Sequence, residues 1–331
     1  MGAFKPVLAT AFAVAVLLSS APSAQATITD TATTVSADWS VSRATLGKPA
    51  KVSGVVISAA GGERTVDLDL LLASGWHTLA SGQTDLAGRY TIAVPTDFYR
   101  TAAMSVSSPA TASTTAGRSA DHAFAVVPAY TAAGSATSWA PFRTTARYRM
   151  DPCQVVGYRV NLTLASSGAL ADVKEAVARV HQASGITFRY LGTTKALPPS
   201  TAGWPAGTTL VIGWARPAQT DWNMTGSLLG MGGVVRWTSA DDAAGPVRRI
   251  SQGGVLLDST EAVGKGFTGA QRRGKLLLHE IGHSVGLGHV AAKTQRMNPM
   301  IDRTSTSRWG AGDLRGMNRL GLAGGCVTDR G

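Results

Sequence analysis

The 331-residue sequence contains two cysteines, six histidines and only 15% charged residues. Hydrophobic residues make up 44% of the sequence. High hydrophobic content with few charges excludes a chain that is disordered overall. After the first 26 residues, no apolar stretch is long enough to span a bilayer, which excludes a later membrane anchor. No internal repeat is present, and the length suits two domains, each with its own core.

The first 26 residues are typical of a secretory signal. Lys5 supplies a positive charge, residues 7–18 form an apolar run, and AQA ending at Ala26 is a small-residue cleavage site. A membrane anchor is the alternative, but the run is short and no stop-transfer sequence follows it. The sequence therefore predicts cleavage after Ala26 and a secreted, extracellular protein without a transmembrane segment.

Export determines how we interpret the two cysteines. An oxidising compartment favours a disulfide between Cys153 and Cys326. This bond would close a long loop and contribute about 4–5 kcal/mol in the chain-entropy model. Two separate thiols, each in its own core, are the alternative.

The positive charge lies in the C-terminal part of the chain. Of the formal net charge of +11, residues 27–128 contribute −1 and residues 129–331 contribute +11, with Lys5 supplying the remainder. Such an excess suits acidic substrates or anionic cell-surface polymers, although a solvated basic surface is the simpler explanation. We expect no nucleic-acid partner, because the basic residues are scattered and no recognition motif accompanies them.

Residues 27–128 contain short alternating segments separated by turn residues. The pattern predicts strands at 34–41, 51–57, 65–71, 76–81, 88–94, 99–107 and 122–127. This spacing is typical of an antiparallel β-sandwich. The stretch GWHTLASGQTDLAGRYTIAVP resembles the bacterial immunoglobulin-like modules attached to secreted enzymes, a resemblance that carries no catalytic residues. Residues 129–146, rich in Ala, Ser and Thr, are predicted to be an interdomain linker.

Residues 147–331 have a different pattern. Strands are expected in VVGYRVNL, ITFRYL, TLVIGW, GGVVRW and GVLLD. Helices are expected over SGALADVKEAVARVHQASG, after Thr268 and near 313–322. Strands with interspersed helices indicate an α/β layered domain with a mixed sheet.

Three of the six histidines fall within eleven residues, in HEIGHSVGLGH. The capping-box pattern TGAQ predicts that a helix begins at Thr268. His279 and His283 are four residues apart and therefore share one face of that helix. Gly286 suits the left-handed end of a helix, so the chain can turn back and bring His289 to the same point.

This grouping is typical of a catalytic zinc site, in which three neutral imidazoles leave one coordination position open. Zinc lowers the pKa of a bound water, and Glu280 can take the proton of that water and later return it to a leaving amine. Chance histidines on a helix are the alternative, but they do not explain why the spacing, the glutamate and the glycine agree.

HEIGHSVGLGH matches H-E-x-x-H-x-x-G-x-x-H, and the chain resembles the metzincin zinc metalloproteases, most closely the matrixin-like secreted bacterial type. The resemblance begins near residue 146 and extends to the end of the chain. It implies an α/β catalytic domain with an active-site helix and a C-terminal helix. It also implies an endopeptidase acting on proteins or peptides, with one Zn²⁺ ion held by His279, His283 and His289 and with Glu280 as general base.

The same resemblance implies further features. RMNPM would form a methionine turn in which Met297 lies beneath the zinc without ligating it, and Cys153 would be joined to Cys326. Other features of the class are missing. No cysteine precedes the catalytic domain, Pro299 stands where some metzincins have a tyrosine ligand, and Val290 stands where others have aspartate. No histidine cluster suggests a second zinc, and calcium is compatible with the sequence but unsupported.

Two features stay open at this point. Residues 232–239, GGVVRWTS, are either an edge strand that binds the substrate peptide or an internal strand. Arg272, Arg273 and Lys275 oppose the dipole at the start of the predicted helix, so either tertiary packing compensates or this end faces the substrate.

Two functions are therefore compared. The first is a secreted zinc endopeptidase. The second is a cell-surface or polymer-binding protein whose protease-like domain is inactive. The N-terminal domain is either a targeting module or a removable inhibitory propeptide.

Overall fold

The computed structural model describes residues 32–58, 61–226, 228–300 and 306–330. The predicted signal over residues 1–26 lies outside this part of the chain. Within the described residues, no helix has the length and apolar character needed to cross a membrane.

The N-terminal half consists of two β-sheets in which most strand pairs are antiparallel. Their strands are β1 (Thr34–Val35), β2 (Asp38–Trp39), β3 (Arg43–Thr45), β4 (Lys51–Ile57), β5 (Thr65–Leu72), β6 (Gly75–Gln83), β7 (Arg89–Ala93), β8 (Arg100–Ser108), β9 (Gly117–Arg118) and β10 (His122–Val127). One sheet has the order β1-β4-β2, with β7 also on β4. The other has the order β3-β10-β8-β5-β6, with β9 on β8.

The two sheets share one hydrophobic core. On β5, alternate side chains point inward, and Val66, Leu68 and Leu70 are at most 1% exposed. Val52 on β4 and Ile92 on β7 belong to the same cluster. The period-two pattern of the sequence thus buries one face of each sheet against the other, as a β-sandwich requires.

Most predicted strands coincide with observed ones, and those at 51–57 and 122–127 have the same bounds. The single strand predicted at 34–41 is wrong, because two short strands, β1 and β2, pair with opposite ends of β4. Between them the carbonyl oxygen of Ser36 lies where a side chain at Gly54 would be. The short strands β3 and β9 were not predicted, since two or three residues carry no alternating pattern.

The C-terminal half combines a mixed sheet with three α-helices in the described residues. Its elements are β11 (Ala140–Pro141), β12 (Tyr148–Arg149), β13 (Val156–Asn161), α1 (Ala169–Ser184), β14 (Phe188–Thr193), β15 (Leu210–Ala215), β16 (Gly230–Asp242), β17 (Gly245–Asp258), α2 (Arg273–Ser284), β18 (Leu287–Gly288), α3 (Ala311–Leu320) and β19 (Thr328–Asp329). Short 3₁₀ helices cover Pro217–Gln219 and Leu322–Gly324.

The large sheet has the order β14-β13-β15-β17-β16-β19, with β12 also on β17. Strands β13, β14, β15 and β17 are mutually parallel, whereas β16 runs antiparallel to β17. One face of the sheet packs with all three helices into a single core that includes Leu257. The neighbouring Leu256 joins a smaller cluster with Met224, so side chains cover both faces of β17.

The segment predicted as a linker is packed against the C-terminal half. Strand β11 pairs with β18, and the N–H of Phe142 donates to the carbonyl of Gly286 at 2.7 Å. Further upstream, the carbonyl of Ala133 accepts a hydrogen bond from the N–H of Ala311 at 2.8 Å. Residues 129–146 therefore differ from a free spacer.

The structure contains a disulfide between Cys153 and Cys326, which are 173 positions apart in the chain. The bond ties the segment before β13 to the segment after α3. Nearby, a carboxylate oxygen of Asp151 accepts hydrogen bonds from the N–H groups of Cys153 and Val327, at 3.0 and 3.2 Å. The two ends of the C-terminal half are thus held together covalently and by hydrogen bonds.

The two halves contact each other at the end of α1 and just after α3. The N–H of Tyr99 donates to the carbonyl of Gln182 at 2.7 Å, and His181 Nε2 lies 3.2 Å from a carboxylate oxygen of Asp97. Leu322, which follows α3, is buried in the N-terminal core. An ion pair and a shared apolar residue thus fix the position of the N-terminal half.

This contact predicts a pH-dependent stability. Their mutual hydrogen bond raises the pKa of His181 and lowers that of Asp97. The contribution of His181 is full below its ordinary pKa of about 6.5 and is lost as the pH rises through the raised value. The contribution of Asp97 is full above about pH 3.9 and is lost as the pH falls through the lowered value.

Replacing Asp97 by Asn should therefore lower the midpoint of thermal unfolding most near about pH 5–6, and the difference should shrink towards about pH 8. Thermal scans of both proteins across this range provide the measurement, with the exposed Asp121→Asn as the matched control. A difference between Asp97→Asn and wild type that does not vary with pH would contradict the assignment.

Candidate metal centre

Helix α2 carries the first two histidines of the motif and begins later than predicted. It starts at Arg273, and no side chain caps it at Arg272. Instead, the N–H of Arg273 donates to the backbone carbonyl of Gly264 at 2.8 Å. The predicted start at Thr268 is therefore wrong. The N–H at the start of the helix bonds to a loop that tertiary contacts bring there, and not to a local capping box.

The charge of Arg273, at the start of α2, is neutralised by helix α1. Arg273 is 1% exposed, and its guanidinium lies 2.7 Å from the carboxylate of Asp172 and 2.6 Å from the hydroxyl of Ser166. Asp172 lies in the first turn of α1, where a carboxylate also suits the helix dipole. Lys275 is buried as well. The buried ion pair with Asp172 therefore accounts for a positive charge at Arg273, and this residue does not face a substrate.

The end of α2 confirms the predicted role of Gly286. Its φ of 112° lies in the region that favours glycine, and its N–H donates to the carbonyl of His283 at 3.1 Å. A side chain at Gly286 would also overlap the carbonyl oxygen of Tyr148. The chain reverses here, forms β18 and reaches His289.

The three histidines of the motif meet through their Nε2 atoms. Nε2 of His279 lies 3.0 Å from that of His289 and 3.1 Å from that of His283, and the third distance is 3.0 Å. His279 and His283 are buried, whereas His289 is exposed, so the group opens to solvent on one side. The three side chains that the sequence singled out are thus together.

Backbone carbonyls fix the orientation of two of the rings. Nδ1 of His279 lies 2.9 Å from the carbonyl of Arg296, and Nδ1 of His283 lies 2.8 Å from the carbonyl of Leu287. A carbonyl only accepts hydrogen bonds, so each Nδ1 carries the proton and each neutral ring directs the lone pair of Nε2 inward. Such a second contact is typical of histidines that bind metals.

Burial keeps these imidazoles uncharged. It lowers the pKa of His279 well below its ordinary value and that of His283 to about 4, and it also lowers that of His289. Neutral imidazole is the form that binds a metal ion. Because His279 and His283 stay neutral, the lone pairs on their Nε2 atoms repel each other. A bound cation would relieve this repulsion.

The donor set fits zinc. Nitrogens held at about 2.0–2.1 Å by a tetrahedral zinc ion lie about 3.3–3.4 Å apart. The observed separations of 3.0–3.1 Å differ from this by a few tenths of an ångström. A set of three nitrogens with one open side also suits the coordination of a catalytic rather than a structural ion.

Glu280 is buried between α2 and strand β16. Burial raises the pKa of its carboxyl to about 8, while a hydrogen bond from the N–H of Gly232 acts in the opposite direction. Gly232 lies so close that a side chain there would overlap the carbonyl oxygen of Glu280. A cation bound by the neighbouring histidines would favour the ionised form of this carboxyl.

Met297 packs directly beneath the helix that carries the histidines. It is 2% exposed, and its sulfur lies 2.6 Å from the position that a Cβ atom would take at Gly282. Gly282 lies one residue before His283, so the glycine leaves room for the thioether. The carbonyl of Met297 also accepts a hydrogen bond from the N–H of Val290, next to His289, at 3.1 Å.

Asp313 is a positioning residue that the sequence analysis missed. From the first turn of α3 its carboxylate accepts hydrogen bonds from the N–H groups of Arg296 and Met297, at 2.5 and 3.2 Å. Burial raises the pKa of Asp313 to about 6. Because the carbonyl of Arg296 orients His279, Asp313 helps to hold this ring in place by fixing the backbone of Arg296 and Met297. Its place at the start of the C-terminal helix was the only signal.

Strand β16 contains residues 232–239 and forms an edge of the sheet over most of this stretch. It pairs with β17 on one side, and on the other side the described residues include β19, which pairs with Ala240 and Asp241, and the N–H of Arg330, which donates to the carbonyl of Ser239 at 3.3 Å. Within the described part of the chain, residues 232–238 therefore lie on an edge of the sheet, and the binding of a substrate peptide there stays a prediction. The backbone N–H and C=O groups along this edge can pair with an extended peptide by strand addition.

No protein-family model matches the chain, and no curated protein matches it. Among solved structures, the chain is similar to a cycloisomaltooligosaccharide glucanotransferase from Paenibacillus sp. complexed with cycloisomaltoheptaose. The match has 15% sequence identity and a TM-score of 0.21, and it covers 49% of this chain and 20% of that one. The chain thus spans about a fifth of that enzyme, and a TM-score this low indicates neither a shared fold nor a shared function.

Because β16 lies so close to α2, we expect a single methyl group added at Gly232 to destabilise the protein. In Gly232→Ala the methyl would meet the backbone of Glu280, which cannot move without shifting the helix, so the free energy of unfolding should fall by about 1–3 kcal/mol. Chemical denaturation measures this loss. Gly82→Ala is the control, since its methyl meets only side-chain atoms of Ile92 and Val66 at 3.3 Å or more. Equal stability of Gly232→Ala and wild type would show that the two elements are not in contact.

Proposed function

We propose that this protein is a secreted zinc-dependent endopeptidase of the metzincin class, with a bacterial immunoglobulin-like domain ahead of the catalytic domain. The observation that carries the proposal is the convergence of three Nε2 atoms within 3.1 Å of one another. A buried carboxyl, Glu280, lies on the same helix. The methionine beneath the helix and the glycine at its end agree with the same class.

The histidines His279, His283 and His289 would hold the ion. Bound there, zinc supplies Lewis acidity that lowers the pKa of a water molecule and polarises a peptide carbonyl. Glu280 takes a proton from the attacking water and returns it to the nitrogen of the leaving amine. The hydrogen bond from Gly232 holds this carboxyl against β16, so proton transfer occurs next to the proposed peptide-binding edge.

The substrate class follows from the edge strand. An extended peptide that pairs with residues 232–239 would run along the strand that contacts Glu280 through Gly232. Exposed Trp237 lies on this stretch, and the guanidinium of Arg248 lies over its ring at 4.0 Å. Proteins and peptides in extended conformation are therefore the expected substrates.

The N-terminal half contacts the catalytic half at His181 and Leu322, neither of which belongs to the group of three histidines. This favours a module that stays attached over an inhibitory propeptide that blocks the site. A mature N-terminus near residue 27, measured by mass spectrometry of the secreted protein, would support retention. A mature N-terminus near residue 146 would support removal.

Replacement of Glu280 by Ala should separate metal binding from catalysis. The variant should keep about one zinc per chain, because the three imidazoles are intact. Its hydrolysis of a general protein substrate should fall by at least about 10²–10⁴-fold, because the proton acceptor is lost. Metal analysis and a proteolysis assay on both proteins measure this, and a chelator should abolish the activity of the wild type.

Glu261→Ala, which removes an exposed glutamate, is the matched control and should keep full activity. A wild-type protein that binds zinc and cleaves no protein, whatever its processing state, would contradict the proposal and favour a binding protein with an inactive protease-like domain. Undiminished proteolysis by Glu280→Ala would exclude the proposed role of the glutamate.

A further inference from the structure

Residues 130–142, here called the strap, run across the part of the C-terminal half that surrounds the metal centre. At one end, the hydroxyl of Tyr130 donates to the carbonyl of Trp309 at 3.1 Å. In the middle, the carbonyl of Ala133 accepts hydrogen bonds from the N–H of Ala311 and from the side-chain amide of Gln295, at 2.8 and 3.2 Å. The other end forms β11.

Glycines of the C-terminal half make room for the strap. A side chain at Gly312 would overlap the carbonyl oxygen of Ser138, and one at Gly288 would overlap that of Pro141. At Gly316 a Cβ atom would lie 3.0 Å from the ring of Trp139. The catalytic half therefore accommodates the strap along its length, as a folded domain accommodates one of its own elements.

The strap holds the segment between the second and third histidines. In the pairing of β11 with β18, Ala140 lies opposite Gly288 and Pro141 opposite Leu287. The same Leu287 provides the carbonyl that accepts a hydrogen bond from Nδ1 of His283. His289 follows Gly288 directly, so the backbone that the strap fixes orients one imidazole and carries another.

Phe142, at the end of the strap, also contacts the site with its side chain. Its ring centre lies 6.0 Å from that of His283 at an interplanar angle of 62°. The far end of the ring lies 3.1 Å from the position of a Cβ atom at Gly233, on the edge strand. Phe142 thus fills the space between a histidine of the metal centre and β16.

We propose that the strap is a positioning element of the metal centre, and that Phe142 and the β11–β18 pairing set the orientation of His283 and the place of His289. The inference rests on the proposed zinc site and goes beyond it. It means that the functional catalytic unit begins before Tyr130 and not at residue 147. Maturation that leaves an active enzyme must therefore cut on the N-terminal side of the strap.

The test uses the full chain with Phe142→Ala. Loss of a residue that orients metal ligands should weaken zinc binding by about 10–100-fold, measured by competition with a chelator. The visible spectrum of the cobalt-substituted protein, which reports ligand geometry, should change as well. Phe142→Leu, which keeps an apolar side chain of similar reach, should recover part of the affinity.

Phe188→Ala is the matched control for a structural effect. It removes the same ring from β14, at the opposite end of the sheet from β16. Thermal unfolding of the metal-free variants gives the stability lost in each. The proposal expects the control to keep wild-type zinc affinity and cobalt spectrum even where its stability falls.

The outcomes separate this proposal from the proposed function. If the wild type itself binds no zinc, the proposed function fails and the strap proposal fails with it. If the wild type binds zinc and Phe142→Ala binds it equally tightly with the same cobalt spectrum, the strap proposal alone is overturned. A processed active enzyme that begins at or after residue 143 and keeps wild-type zinc affinity overturns it too.

Discussion

The neutral imidazoles of His279 and His283 direct Nε2 lone pairs towards a point that Nε2 of His289 also approaches, and the three nitrogens lie within 3.1 Å of one another. A cation bound at this point would relieve the repulsion between these lone pairs, and backbone carbonyls hold the rings in place for it. The carbonyls of Arg296 and Leu287 do this for two of the rings. Asp313 on helix α3 and the strap matter to the site because they hold the backbone next to these two carbonyls.

The helix that carries the histidines is also held in place by electrostatic contacts. Basic residues at its start oppose the helix dipole, and isolated charges in this buried position would destabilise the fold. Asp172 on α1 offsets Arg273, which makes the packing of α1 against α2 a condition for the site. On the opposite side, Gly232 brings β16 against Glu280. Charge pairing and close packing thus hold the same helix from two directions.

The sequence predicted what depends on local spacing. The histidine interval, the glycine at the end of α2 and most N-terminal strands follow from periods of 3.6 and 2 residues. The sequence did not predict the start of α2, the role of Asp313 or the packing of residues 129–146. Each of these depends on partners outside the local sequence pattern, such as Asp172 for Arg273 and Leu287 for Pro141. The Ala-, Ser- and Thr-rich composition of residues 129–146 is typical of a linker. The segment packs through backbone hydrogen bonds and against glycines elsewhere in the chain, and its own composition does not reveal such contacts.

X-ray absorption spectroscopy at the zinc edge of the metal-loaded protein tests the central claim most directly. The account predicts a first shell with three imidazole nitrogens at about 2.0–2.1 Å and one further light atom. Replacing His289 by Ala should reduce the number of imidazoles in that shell by one. A shell with fewer imidazoles in the wild type, or one that the replacement leaves unchanged, would contradict it.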